Sequence, residues 1–154
     1  MGLESSFTLL REIGIFSLNE QQEIHFSVEA YRGFRYLSIR KYVQEEGFAG
    51  PTKEGITLTP EIVRALTPRL LALPEDPAQL KIENLGKFAK RPGICVVAGI
   101  VEFGNKRGLE LRQWEQDKGF TKKGIVLPLS HWAHIRNLFS KTVAAFDEKP
   151  DVDF

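Results

Sequence analysis

The chain has 154 residues, of which 42% are hydrophobic and 10% aromatic, with 21 basic and 20 acidic side chains. That content supports a packed core and excludes wholesale disorder, and the length suits one ordinary domain or two very small ones. A single cysteine, Cys95, excludes an internal disulfide, and no apolar run approaches membrane-spanning length.

Cys95 lies in the apolar run ICVVAGIV, where a small buried side chain is expected. One unpaired cysteine suits a reducing compartment, so a cytoplasmic or nucleoid-associated location is expected. The opening MGLESSFTLL lacks the basic region of a signal peptide, and no membrane partner is expected. The net charge of +1 conceals an asymmetry. Between Ile13 and Leu66, six basic residues (Arg32, Arg35, Arg40, Lys41, Lys53, Arg64) meet seven acidic ones. Between Leu85 and Phe139, ten basic residues meet four acidic ones, and the last eight residues carry a net −3. A basic body with an acidic end points to a polyanionic partner.

In chain order, residues 1–12 form an N-terminal segment. EIHFSVEAY then alternates strictly, with Ile24, Phe26, Val28 and Ala30 on one side and His25, Ser27, Glu29 and Tyr31 on the other, which predicts a half-buried strand. RGFR is a tight connection in which Gly33 can take positive φ. RYLSIRKYV predicts a second strand with Leu37 and Ile39 inward and Tyr36, Ser38, Arg40 and Tyr42 outward. A polar loop leads into the short strand GITL. TPEIVRAL predicts a helix capped by Thr59, with Pro60 at its first position and Glu61 in its first turn. Pro68 predicts a kink or a fresh helix start, and LPEDPA reads as a linker.

The rest of the chain repeats this order. At an offset of 72, Gly14, Phe16, Arg35, Leu37, Arg40, Gln44, Gly47 and Phe48 meet Gly86, Phe88, Arg107, Leu109, Arg112, Gln116, Gly119 and Phe120. Three extra residues in the first copy then change the offset to 69, and Thr52, Lys53, Gly55, Ile56 and Leu58 meet Thr121, Lys122, Gly124, Ile125 and Leu127. One register with one gap marks an internal duplication. In the second copy Leu109 and Leu111 face inward, while Arg112 and Trp114 face outward. PLSHWAHIRNLFSKTVAAF places Leu129, Trp132, Ile135, Leu138 or Phe139, Thr142 or Val143, and Phe146 on one helical stripe. The fold class expected is α+β: two repeats of an antiparallel four-stranded sheet followed by a helix, packed helix against helix as an intramolecular pseudo-dimer. The boundaries are residues 13–73 and 85–146 for the repeats, 74–84 for the linker and 147–154 for the acidic tail.

The phrases YRGFRYLSIRKYV and TKEGITLTPEIVRAL resemble the transcriptional positive cofactor four family, the small single-stranded-DNA-binding coactivators, and both copies fit the pattern. The resemblance implies a homodimer-like pairing through the helices and sheets that hold single-stranded nucleic acid by backbone contacts and base stacking. It assigns the turn aromatic to Tyr31 and Phe103, the neighbouring cation to Arg32 and Lys106, and the strand arginine to Arg40 and Arg112. The basic pair is Lys122-Lys123 in the second copy but Lys53-Glu54 in the first. Glu54, Asn105, Val43 and Glu115 depart from the family pattern, so the second copy is the expected binding half and the first its support. Outward arginines beside outward aromatics lead to the same surface without the family, because bases stack on any aromatic face and cations release counterions from phosphates. The candidate nucleic-acid-binding residues are Tyr31, Arg32, Arg35, Arg40, Tyr42, Lys53, Phe103, Lys106, Arg107, Arg112, Trp114, Lys118, Lys122 and Lys123. Aromatics covering sheet faces packed against the other copy would give the same pattern.

The tail DEKPDVDF resembles the partner-recruiting tips of bacterial and phage single-stranded-DNA-binding proteins, which makes Asp151, Asp153 and Phe154 candidates for a protein partner. His131 and His134 have no further ligand at metal spacing, and no nucleophile, phosphate-loop or acid–base motif is present, so neither a cofactor nor an enzyme is expected. The reading is sequence-independent binding of single-stranded DNA in replication, recombination or transcription, by a monomer or a further homo-oligomer. An RNA-binding regulator on the same surface and a protein-interaction module remain open beside it.

Overall fold

The computed structural model describes residues 7–148. The elements run β1 (Thr8–Ser17), β2 (Gln22–Tyr31), β3 (Phe34–Glu45), β4 (Phe48–Leu58), α1 (Pro60–Leu71), β5 (Glu83–Arg91), β6 (Ile94–Phe103), β7 (Lys106–Glu115), β8 (Gly119–Pro128) and α2 (Trp132–Asp147). All strands join one antiparallel sheet in the palindromic order β1-β2-β3-β4-β8-β7-β6-β5. The fold is therefore α+β, with two four-stranded repeats each followed by a helix. No helix among the described residues is long and apolar enough to cross a membrane.

The alternation in β2 and β3 is realised: Ile24, Phe26, Val28, Leu37 and Ile39 are buried, as are Val96, Ala98, Ile100, Leu109 and Leu111 in β6 and β7. The helices cover this apolar face. α1 buries Ile62, Val63, Leu66 and Leu70, and α2 buries Trp132, Ile135, Phe139 and Phe146, at roughly 2 kcal/mol for each large side chain removed from water. Phe139 of the second repeat meets Phe26 of the first edge-on, with ring centroids 5.5 Å apart, so the core is shared between the repeats. Arg35 donates to the Phe146 carbonyl at 3.1 Å and holds the end of α2 against the first repeat.

Local chemistry sets the turns. Tyr31 pairs with Phe34 across the two-residue loop Arg32-Gly33, and both loop residues have positive φ, the type I′ pattern. In the second repeat the glycine comes one position earlier: Gly104 has positive φ and Asn105 does not, the type II′ pattern. The missing turn glycine at Asn105 thus changes the turn type while the hairpin register is kept.

Three expectations are corrected. Strands β1 and β5 begin at Thr8 and Glu83, inside the segments 1–12 and 74–84. Both are edge strands held by pairing on one side, and β1 shows no clean alternation of buried and exposed residues, so periodicity could not reveal its start. The polar stretch AGPTKE is part of β4, made possible by a bulge opposite Arg40 and Tyr42. Helix α1 does not start afresh at Pro68 but continues through it to Leu71, with Val63, Leu66 and Leu70 buried on both sides of the proline.

Strands β4 and β8 join through a single residue pair, Gly55 and Gly124. A Cβ on Gly55 would lie 2.7 Å from the Ile39 carbonyl oxygen, and one on Gly124 would lie 2.6 Å from that of Leu111. Each glycine is thus required by the neighbouring strand of its own repeat, β3 at Gly55 and β7 at Gly124. Gly124→Val is expected to destabilise the fold by about 1–3 kcal/mol through overpacking, read as a lower urea midpoint. An unchanged midpoint would show that β7 yields freely beside Gly124.

Candidate nucleic-acid interface

The phrase shared by both repeats, Thr-Lys-x-Gly, has a structural cause. In each repeat four steps of the last strand oppose two of its neighbour: Tyr42 pairs with Pro51 and Arg40 with Gly55, while Trp114 pairs with Phe120 and Arg112 with Gly124. The threonine inside each bulge locks it. Thr52 Oγ1 donates to the Lys41 carbonyl at 2.9 Å and accepts from the Glu54 amide at 3.1 Å. Thr121 Oγ1 donates to the Gln113 carbonyl at 3.0 Å and accepts from the Lys123 amide at 3.2 Å. The residues between threonine and glycine, Lys53-Glu54 and Lys122-Lys123, are thereby held out in solvent.

Because the two halves of the sheet meet through a single residue pair, a groove opens on each side of the seam. The first groove, about 540 Å³, is lined by Tyr31, Tyr36, Arg40, Lys53, Gly55 and Thr57 from the first repeat and by Lys90, Arg91, Gln113, Lys122 and Lys123 from the second. Phe7 sits at its edge, stacked on Tyr31 with ring centroids 4.8 Å apart. Six cations converge there, and among the described residues no carboxylate lines it. Arg40 donates to the Thr52 carbonyl at 3.0 Å, which leaves most of its donors for a ligand.

Lys90 is the least ordinary of these cations. Its ammonium crosses the seam and donates to Thr57 Oγ1 at 2.9 Å and Gln113 Oε1 at 3.0 Å. Burial lowers its pKa to about 8, and the neighbouring Arg91 and Lys123 charges add to the effect.

The opposite groove is built from the equivalent positions and differs in chemistry. Its lining includes Lys41, Glu54, Phe103, Lys106, Arg107 and His131, together with Pro77 and Ala78 of the linker. Lys41 and Glu54 form an ion pair at 2.9 Å, and Arg107 donates to the Leu80 carbonyl at the end of the linker. The linker is pinned over this side by Trp132 Nε1, which donates to the Pro74 carbonyl at 2.9 Å. His131 stacks on Phe16, with His134 beyond it, and burial followed by the His134 charge lowers its pKa. Among the described residues no cluster of three His, Cys, Asp or Glu could hold a metal.

The sequence-predicted residues are thus distributed. Tyr31, Arg40, Lys53, Lys122 and Lys123 converge in the first groove, while Phe103, Lys106 and Arg107 line the second. Arg32 sits at an exposed turn with its guanidinium 5.1 Å from the Tyr31 ring centroid. Arg35 is committed to α2, and Lys118 lies on an exposed hairpin 3.8 Å from Glu115. Tyr42 stacks on His25 with centroids 3.6 Å apart, and Trp114 carries Lys87 over its ring at 4.3 Å. Arg112 pairs with Glu110 at 3.3 Å and does not line the first groove. Asp151, Asp153 and Phe154 lie outside the described residues. The expectation of a binding repeat and a supporting repeat does not match this arrangement: the most cationic groove draws on both. Lys90 and Arg91 were missed because the first repeat has Leu18 and Asn19 there, so the repeat alignment gave no signal; only the basic tally of the second repeat contained them.

Residues 18–67 match the family model described as Transcriptional Coactivator p15 (PC4), a family associated with single-stranded DNA binding and transcriptional coactivation. The matched segment runs from the end of β1 into α1 and contains Tyr31, Arg40 and Lys53; β5 to α2 lie outside it. No curated protein matches the chain.

The folded Lys90 pKa lies below its ordinary value of 10.5, so between about pH 8 and 10.5 the unfolded chain holds the proton more readily. Stability is expected to rise with pH across that window and to be lowered in full below it, where both states are protonated. Lys90→Met is expected to remove this slope, measured by urea denaturation at pH 7 and at pH 10. An equal slope in both proteins would refute the burial of this charge.

Proposed function

We propose that the chain binds single-stranded DNA without regard to sequence, in the groove between the repeats, and acts in replication, recombination or transcription within the cytoplasm or nucleoid. The observation that carries this reading is the facing of Arg40 and Lys53 from one repeat by Lys122 and Lys123 from the other, with Tyr31 and Tyr36 beside them. Cations lining one groove can each meet a phosphate of a bound strand, and each neutralised phosphate releases counterions. Bases that turn toward the tyrosines stack for about 1–3 kcal/mol each, whatever their identity. The second repeat, in this reading, is a diverged copy of the module that the family match marks in the first, and the covalent pair does the work of a homodimer.

Titration of fluorescently labelled oligo-dT at two salt concentrations tests the reading. Binding is expected at low salt, with a log–log salt slope approaching about −4 if all six cations meet phosphates at roughly −0.7 each. Arg40→Ala and Lys122→Ala are each expected to weaken binding and to reduce the magnitude of the slope by about 0.7. No binding at low salt overturns the proposal, and tight binding of oligo-U with weak binding of oligo-dT replaces DNA by RNA as the ligand.

A further inference from the structure

We propose that a bound strand leaves the groove on one side only, over Lys90 and Arg91 onto a stacking platform at Trp114, and that the equivalent surface at Tyr42 stays empty. This rests on the single-strand reading above and adds Lys87 and the Trp114 ring to the groove residues already proposed. Lys90 and Arg91 line both the groove and an adjoining concavity that contains Lys87, Cys95 and Trp114. The two spaces thus share a pair of cations on their common border.

The platform follows from register. Ala89 pairs with Cys95, Cys95 with Trp114, and Trp114 with Phe120, so these four side chains share one face of the sheet. Ala89 and Cys95 are small, and Phe120 is 64% exposed, which leaves an open apolar floor around the half-buried indole. Lys87 lies over the Trp114 ring at 4.3 Å. A cation–π contact at an exposed site is weak enough to give way to a base, after which the same ammonium can take that nucleotide's phosphate. Among the described residues no carboxylate lines this concavity, and Glu115, next to Trp114 in the chain, accepts a hydrogen bond from Gln113 and lies beside Lys118.

The equivalent positions in the first repeat are built against such a ligand. The corresponding row is Ser17, Glu23, Tyr42 and Pro51, and its cavity is lined by Glu20 and Glu23 where the second repeat has Pro92 and Cys95. The Tyr42 ring is stacked on His25 with planes 8° apart, and Glu23 is hydrogen-bonded to that histidine at 2.9 Å. Carboxylates repel phosphates, and one ring face is already taken. Leu18 and Asn19 stand where Lys90 and Arg91 connect the groove to the platform, so no cationic bridge leads toward Tyr42.

The indole is its own reporter, since the other tryptophan, Trp132, is 1% exposed and bonded to the linker. Oligo-dT of graded length, from about 6 to about 20 nucleotides, is added to the wild type and to Trp114→Leu and Tyr42→Leu variants, with tryptophan emission and binding both followed. Quenching of wild-type emission by the longer oligomers is expected, with a loss of about tenfold in their affinity for Trp114→Leu and no loss for Tyr42→Leu. Wild type that fails to bind any oligomer overturns the single-strand reading itself. Wild type that binds without quenching, with Trp114→Leu unchanged at every length, overturns only the platform. Equal losses in the two leucine variants overturn the one-sided path.

Discussion

One backbone contact organises the molecule: the bridge between Gly55 and Gly124. Each four-stranded unit is held by long ladders, yet the two units share a single residue pair, and side chains at that pair would strike the neighbouring carbonyls. Close crossing at one point lets β4 and β8 diverge on either side, and the divergence creates the grooves. The sheet cannot hold the units together through so short a contact. Packing of α1 against α2, and of Phe139 against Phe26, supplies the apolar burial that makes the pair one body.

The grooves combine this geometry with a second device, the threonine-locked bulge. A hydroxyl that donates across the strands and accepts from the amide two residues on fixes an irregular segment in an otherwise regular ladder. The bulge presents the lysines on backbone that cannot slip in register, so their spacing is set before a ligand arrives. Lys90 works in the opposite sense. Its partly buried ammonium, near Arg91 and Lys123, is destabilising in the free protein and is the kind of charge a phosphate relieves.

Two grooves that start from equivalent positions have been given different chemistry. Where the first has Thr57, Tyr36 and Lys123, the second has Val126, Gly108 and Glu54, and the linker lies across it. Within a single chain the two repeats need not be identical, as the halves of a homodimer must be. The linker also has a structural part, because Trp132 and Arg107 hold it by its carbonyls.

The repeated order of strands and helix, the inward faces of β2, β3, β6 and β7, the Thr59 cap and the apolar stripes of both helices are all legible in the sequence, because each rests on neighbours within a few residues. The outward placement of Arg40 is legible for the same reason, since alternation fixes which side of a strand a residue faces; Lys53 and Lys122 read as loop residues, because the bulge that carries them breaks the alternation. Which outward residues converge is not legible, since it depends on how two sheets cross. Lys90 reaches Thr57 and Gln113, and Lys122 and Lys123 face the first repeat, only because the seam is one glycine pair wide. Charge counting along the chain assigned binding to the second repeat, whereas the tertiary structure placed the cationic groove between the repeats. Electrostatic fields add in space, and chain order carries no record of the crossing that brings these charges together.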